Sequence, residues 1–566
     1  MQLIKALGCI ALVLLGERVQ ADNRLRIVAQ SGAPAPGLHS DAIFEGFVRD
    51  SFGQDAAVIN DFGQVAFRAF LVQGQGGVTA ANDLGVWSEG SETMRLIARE
   101  GSMAAGTTGV FEFASDLNIN EPGDTAFQGG LLVSIGGANS QNNLGIWTAN
   151  EGNLNLKLRE DSAILGGLLG PLSNLHFASL SLNNRGHIAS RVIRVTQTGG
   201  NSQTESNVGI FSDRSGSMEA VVRAGEQAFG LPTGAAYDSF EYHPVLNDSG
   251  DIAFHADLKL GDGGITGLND DVIYLFPADG TKKIIAQEGA AAPFRNGEYR
   301  FIGDLIDPSL NHEGQVAFHS RLTNRISGPP ISNAFAIFVE TNGTYRVVAS
   351  SLDQPPGLPS GAAYMEMTPP LLNARGDAAF AASLRGSVTS DNNAGLWAED
   401  NKSLRLIARK GAIAPGAGDG VLNTFSGIGE QMPVFNALGQ IAFRGTLKLD
   451  IGGVSVNNNE GIWATDVDGI LHLIARTGDQ IDVDSGPTID LRTIRLLAFT
   501  GDSGNQDGLS SGFNNKGQLA FVAHFTDRTS AVIVSNKVAI PEPVSRLLIL
   551  ICLAGVVSQV KSRCSR

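Results

Sequence analysis

The chain has 566 residues, 70 of them Gly, with 43% apolar and 17% charged, so it can bury a large core and is neither a charge-rich disordered polymer nor a disulfide-stapled miniprotein. The formal charge of −16 excludes a general nucleic-acid binder, because phosphate neutralisation requires a basic face. Glycine well above its usual share implies many turns, and with them many short strands.

Residues 1–21 contain Lys5, an apolar run over 6–16 and then Val19-Gln20-Ala21, the small or apolar pattern that a signal peptidase reads. The expectation is a signal peptide cleaved before Asp22. The alternative is an uncleaved anchor, although the apolar run is shorter than the ~20 residues of a spanning helix. The segment that follows, residues 25–32 (LRIVAQSG), reads as a single strand.

From Asn60 onward the chain repeats itself. The segment Asn60-Asp-Phe-Gly-Gln-Val-Ala-Phe67 recurs from Asn120, Asn183, Asn247, Asn311, Asn373, Asn436 and Asn514, at spacings of 60, 63, 64, 64, 62, 63 and 78. Each copy predicts a turn entering a strand: Asn opens a type I turn by accepting from amides two residues on, Gly takes the strained position, and the apolar triplet begins a buried strand. Two more strands recur. One holds all four tryptophans, Trp87, Trp147, Trp397 and Trp463, in a slot filled by Phe, Tyr or Val elsewhere, so the slot is expected to pack in a core and not to form a sugar platform. The other is the Arg95-Leu-Ile-Ala-Arg99 type. A further strand precedes each Asn.

With strand a before the Asn, b after the Gly, c at the Trp slot and d at the Ile-Ala-Arg slot, each repeat makes one four-stranded blade. The predicted fold is all-β, an eight-bladed β-propeller over residues 22–537. The eighth repeat ends after strand c, and its missing d strand is supplied by residues 25–32, closing the ring and hiding both edges. An extended β-solenoid is the alternative. The repeat resembles a bacterial tandem family with the pattern Asn-x-x-Gly-x-x-Ala-Phe on exported proteins. The resemblance spans nearly all of residues 25–535, departs at Ser190 in the Phe position, and implies an architecture and an address but no reaction.

Residues 538–566 carry Pro541-Glu542-Pro543, an apolar stretch over 547–557 and then Lys561, Arg563 and Arg566. This resembles the PEP-CTERM sorting signal of Gram-negative bacteria that make exopolysaccharide, with Arg546 interrupting the start of the helix. The resemblance implies recognition by an exosortase-type enzyme, with cleavage or retention as a transmembrane tail both open. The three cysteines, Cys9, Cys552 and Cys564, all lie in the two end segments, so the body between Asp22 and Ile540 has no thiol chemistry and no disulfide. Residues 1–21 carry +1 and residues 541–566 carry +3; subtracting both from −16 leaves the body at −20.

No nucleophile elbow, His-Glu-x-x-His pattern or phosphate-cradling loop is present. His255 and His319 follow the Phe of strand b in a slot that also takes Arg, Gln, Ala and Val, which reads as a partly wet packing position. The candidate ligand-binding residues are the acids of strand a, Glu112, Glu241, Asp304, Glu366 and Glu430, with His176 in that place in repeat three. They are expected at the mouth of the central channel, able to hold Ca²⁺ or hydrogen-bond a sugar, with a solvated mouth as the alternative. The expected function is a non-catalytic, exported scaffold or binding propeller at the cell surface or in an exopolysaccharide matrix. The alternative is a propeller enzyme, hydrolase or lyase, acting on glycans through two channel carboxylates.

Overall fold

The computed structural model describes residues 25–540 apart from 49–56, 91–92, 163–174, 178, 199–201, 242, 296–298, 304, 325–333, 426–431, 485–487 and 502. The signal-peptide segment and the Pro541-Glu542-Pro543 tail lie outside the described residues.

Eight antiparallel sheets, each in the order a-b-c-d, form an eight-bladed propeller. In the first blade these strands are Phe44–Phe47 with Val58–Ile59, Val65–Leu71, Leu84–Ser88 and Arg95–Arg99. Strand a is commonly split, as it is there: its outer half pairs with the end of strand b and its inner half with the start. The inner halves of successive blades touch one another, so strand a is innermost. The ring closes as the repeat arithmetic predicts, because Leu25–Gln30 pairs antiparallel with Ser530–Ser535 as the d strand of blade eight. The seam carries the same cross-blade ion pair as other junctions. Arg26 meets Glu89 at 2.7 Å, as Lys157 meets Asp213 at 2.6 Å and Arg346 meets Glu399.

Within a blade the core follows from the repeat. The Phe of strand b lies directly opposite the Trp of strand c, Phe67 on Trp87 and Phe380 on Trp397, with rings stacked at 6.3 and 6.0 Å. All four tryptophans are fully buried, and each indole N–H donates to a backbone carbonyl of the preceding d-to-a loop, such as Trp87 to Pro36 at 3.1 Å. Each ring folds back over the residue two positions earlier, where a Cβ would come within 2.3–2.7 Å of it at Gly85, Gly145, Gly395 and Gly461. This explains why the Trp blades read Gly-x-Trp while blades four and five, with Tyr274 and Phe338, carry Val272 and Ala336 two positions earlier. Ser190, which replaces the Phe in blade three, gives up the stack and donates its hydroxyl to Ser179 O at 2.7 Å.

The recurring Asn does two jobs. Its Oδ1 accepts from its own turn, as Asn60 does from the amides of Phe62 at 3.1 Å and Gln64 at 3.0 Å. Its Nδ2 donates to the carbonyl of the corresponding Asn in the next blade: Asn60 to Asn120, Asn120 to Asn183, Asn183 to Asn247, Asn247 to Asn311, Asn311 to Asn373, Asn436 to Asn514 and Asn514 back to Asn60, all at 2.8–3.1 Å. The Asn373 Nδ2 is buried without a partner and interrupts the circle once.

The b-to-c loops rich in Gly and Asn are ordered by their own chemistry. Asn82, Asn142, Asn269, Asn392 and Asn458 each accept from a loop amide three residues back. The last Arg of strand d pins most of these loops through the Asn carbonyl, as Arg99 does at 2.6 Å.

Two outcomes test this architecture. Deleting residues 22–32 exposes the edge of blade eight and uncovers Phe44 and Val532, so the whole ring should melt lower in calorimetry; an unchanged melting temperature is incompatible with closure by this strand. Asn247→Ala removes an acceptor to the Asp251 amide at 2.9 Å and the donation to Asn311. It should cost about 2–3 kcal/mol at about 1 kcal/mol per hydrogen bond plus the orphaned buried groups, measured by denaturant unfolding.

Candidate functional site

The last repeat is longer than the others, with 78 residues between Asn436 and Asn514, and the surplus enters the propeller axis. Residues 499–501 and 503–513, between strand a Leu491–Ala498 and the final Asn turn, form a plug. The backbone amides of Ile59, Leu182, Leu246 and Phe435, from the inner strands of four blades, donate to the plug carbonyls of Ser511, Gly508, Asp507 and Ser503 at 2.7–3.1 Å. Asn118 Nδ2 adds a bond to Gly508 O at 2.7 Å. Gly508 has φ 73°, and a Cβ there would sit 2.7 Å from the Leu246 carbonyl, so no larger residue fits. The plug is organised by Asp507, whose buried carboxyl accepts from Ser503 Oγ and the amides of Gly504 and Leu509 at 3.0–3.1 Å. Burial pushes its pKa upward, against the pull of these donors.

On the side of the plug towards the d-to-a loops lies a cavity of about 290 Å³ lined by Asp116, His243, Asp307, Pro369, Met432 and Thr500, among others. Asp116, His243, Asp307, Pro369 and Met432 occupy one repeat position, four residues before the recurring Asn. Asp116 and Asp307 stand at bulges of strand a in left-handed backbone, φ 47° and 42°. Such strain in non-glycine residues is concentrated at ligand sites. The His243 side chain is open to the cavity, and desolvation by the protein around it, followed by the charge of Arg191, lowers its pKa.

On the other side of the plug a pocket of about 60 Å³ opens among the Asn turns. Here the residues after the recurring Asn make a second run of contacts through blades eight and one to five. Asn515 clamps Asp61 through its amide and side chain at 2.6 and 2.8 Å; the Asp61 amide donates to Glu121 at 2.8 Å, and the Glu121 amide to Asn184 at 2.9 Å. Asn184 clamps Asp248 at 2.7 and 2.8 Å, and His312 Nε2 lies 3.1 Å from the same carboxylate. Burial, with the charges of Asp61 and Asp248, pushes Glu121 up to about 8.

Among the described residues, no two of the acids expected from sequence fall in one set of mutually close ligand atoms. Glu112 and Glu366 are exposed on strand a of blades two and six, and Asp304 and Glu430 lie outside the described residues. The side chain of His176 is also outside them. Glu241 instead meets His255 and Asp257 of its own blade, with ligand atoms within 4.8 Å of one another. His255 Nε2 lies 3.5 Å from Asp271 and 3.9 Å from Asp257. Burial opposes the charged imidazole, but these carboxylates prevail and raise its pKa. Burial also pushes Asp257 up to about 6. His255 and His319 are 2% and 4% exposed, so in blades four and five the slot after the Phe is buried, while Arg191 and Arg444 in the same slot are half-buried. In the same slot Arg68 donates to Ala114 O of the next blade at 2.6 Å.

A family profile matches residues 18–141 and 59–547. The chain belongs to DUF7453, a family of unknown function. Among curated proteins none matches it. This DUF7453 chain is similar in fold to the Dos1 propeller (11% identity, covering 88% of this chain and 98% of that one, TM-score 0.33) and to the polysaccharide lyase Uly1 (8%, 86% and 90%, TM-score 0.32). A further likeness is to Trypanosoma rangeli sialidase in complex with sialic acid (10%, 77% and 58%, TM-score 0.26). At these scores no residue of those proteins carries over to this one.

The acidic end of blade four gives a pH prediction. Burial, then a hydrogen bond to Asp270 and the charges of Asp271 and Asp270, push Glu288 up to about 8. A carboxyl with a raised folded pKa favours folding while protonated, and that contribution is lost as pH rises from about 4.5 to about 8. Glu288→Gln keeps a donor for Asp270 without the charge. It should raise the melting temperature by about 1–3 °C at pH 8.5, with the gain vanishing near pH 4.5 in scanning calorimetry.

Proposed function

We propose that the protein is an exported binding propeller, held at the cell surface or in an exopolysaccharide matrix, that receives a small polar ligand such as a saccharide end in its axial cavity without transforming it. The observation that carries this reading is the plug. It turns an open channel into a blind cavity with a rigid floor, hydrogen-bonded to four blades. The lining joins proline faces to a few convergent polar groups, the usual make-up of a ligand pocket, and its volume stands near the lower end of the roughly 300–1,000 Å³ range. The export and sorting readings rest on residues 1–21 and on the Pro541-Glu542-Pro543 tail, which an exosortase-type enzyme would process. Among the described residues no helix is long and apolar enough to cross a membrane, so membrane attachment in this reading falls to the tail. Residues 536–540 run along the Asn-turn face, where the Ile540 amide donates to Lys516 O at 2.9 Å. That face would therefore turn towards the membrane, leaving the cavity side outward.

A second reading, glycan cleavage, is favoured by one observation: Asp116 and Asp307 come from separate blades into one cavity, in strained backbone. A glycan array with the purified protein, followed by assay of any hit for new reducing ends or unsaturated products, separates the two. The binding reading expects a retained ligand, no product, and binding weakened at least tenfold by Asp307→Asn. Product formation abolished by Asp116→Asn or Asp307→Asn supports the enzyme. An array with no hits removes glycans as the ligand class. Fractionation of producing cells should find the chain outside the cytoplasm, and cytoplasmic retention would defeat the export reading.

A further inference from the structure

We propose that Glu241, His255 and Asp257 of blade four form a site for a divalent transition-metal ion of the Zn²⁺ type, with the carboxylate of Asp271 beside it. The site lies on the side of blade four that faces blade five, where a Cβ on Gly303 would stand 3.5 Å from Asp271 Oδ2. It does not depend on what the axial cavity binds.

The strand register builds the site. Ser239 pairs with Asp257 across strands a and b, and Asp257 pairs with Asp271 across strands b and c. Side chains alternate along a strand, so Glu241, two residues past Ser239, and His255, two before Asp257, are carried to the face that holds both aspartates. Ligand atoms meet there: one each from Glu241, His255 and Asp257 lie within 4.8 Å of one another. His255 Nε2 is 3.9 Å from Asp257 Oδ1 and 3.5 Å from Asp271 Oδ1, beyond the ~2.7–3.2 Å of an N–H···O hydrogen bond. Ligands of a tetrahedral ion bound at ~2.0–2.2 Å stand ~3.4 Å apart. These separations therefore suit an ion held between the groups, and Glu241 can close on it by turning its exposed side chain. Ser239 Oγ donates to Asp257 Oδ2, which leaves Oδ1 of that carboxylate towards the imidazole.

Electrostatics points the same way. Two carboxylates directly opposite each other across an antiparallel pair repel, and Glu241 adds a third charge to the same face. Blades one and two fill the Asp257 and Asp271 positions with Phe70 and Leu84 and with Gly130 and Leu144, so the repeat itself does not need acids there. The charge of Arg321, from blade five, acts on Asp271; a divalent ion among Glu241, His255 and Asp257 would offset the rest. The donor set decides which ion. Imidazole with carboxylates suits Zn²⁺, whereas Ca²⁺ takes oxygen ligands. His255 is 2% exposed and forms the floor, while Glu241 is exposed and the Asp257 side chain is 27% exposed. The ion would enter from solvent and keep one position for water, as a three-ligand zinc site does.

The test is calorimetric titration of chelator-treated, full-length protein with ZnCl₂, its three cysteines alkylated beforehand, with melting temperature as a second readout. The expected result is one equivalent bound and a rise in melting temperature that saturates with Zn²⁺. Glu241→Gln and His255→Gln should each weaken Zn²⁺ at least tenfold. Glu241 is exposed, and blade two already carries Gln128 in the His255 slot, so both variants are expected to fold. His472→Gln, which removes the His472–Asp466 pair at 2.8 Å in blade seven, should leave binding unchanged, and an equal concentration of CaCl₂ should not displace Zn²⁺. Absence of Zn²⁺ binding in the parent, binding that survives both Glu241→Gln and His255→Gln, or binding lost with His472→Gln overturns the site. Displacement by Ca²⁺ overturns the choice of ion.

Discussion

The hydrogen bond that seven of the eight recurring Asn donate to the carbonyl of the counterpart in the next blade is the constraint on which the rest depends. A propeller blade buries its faces against its neighbours mainly through apolar packing, which is strong but says little about how far one blade slides along another. A buried side-chain donor aimed at one backbone carbonyl fixes that position, at about 1 kcal/mol each when made and more when left unmade. Because Oδ1 of the same Asn shapes its own turn, the local turn and the inter-blade register are set by one residue. Repeating the device around the axis gives the inner strands one common level.

That common level makes the axis usable. With the inner strands in step, amides of the residue before the Asn face a shared centre, where the plug answers them with carbonyls. Residues four before the Asn gather on one side of the plug and residues after the Asn on the other. One repeat position therefore becomes one ring around the axis, and the chemistry of each ring is decided by which few copies depart from the average: Asp116, His243 and Asp307 on one side, Asp61, Glu121 and Asp248 on the other.

The candidate site was less legible than the fold, for identifiable reasons. The acids of strand a, six to eight residues ahead of the Asn, are expected from sequence at the channel mouth. Strand a is instead split or bulged, so Glu112 and Glu366 face solvent and Glu241 turns into its own blade. The column after the Asn, rich in Asp, Glu and Asn, was visible in the sequence but resembled ordinary turn composition. The 78-residue spacing was visible as a number. Its destination was not, since a loop of that length fits equally well outside the ring.

The sequence alone determined the features written within one repeat or in the tally of repeats: eight blades, four strands in each, a tryptophan slot that packs, and a ring closed by the strand at residues 25–30. These follow from turn chemistry, strand periodicity and the rule that sheet edges must be covered, all of which act between neighbours in the chain or between successive copies. Only the tertiary structure decided what happens at the axis. There a residue's partners lie one or several repeats away, as Asn514 reaches Asn60 across 454 positions. The space they enclose exists only once all eight copies have met, so no single repeat carries the information that a plug fills it or that Asp116 and Asp307 line one cavity beside it.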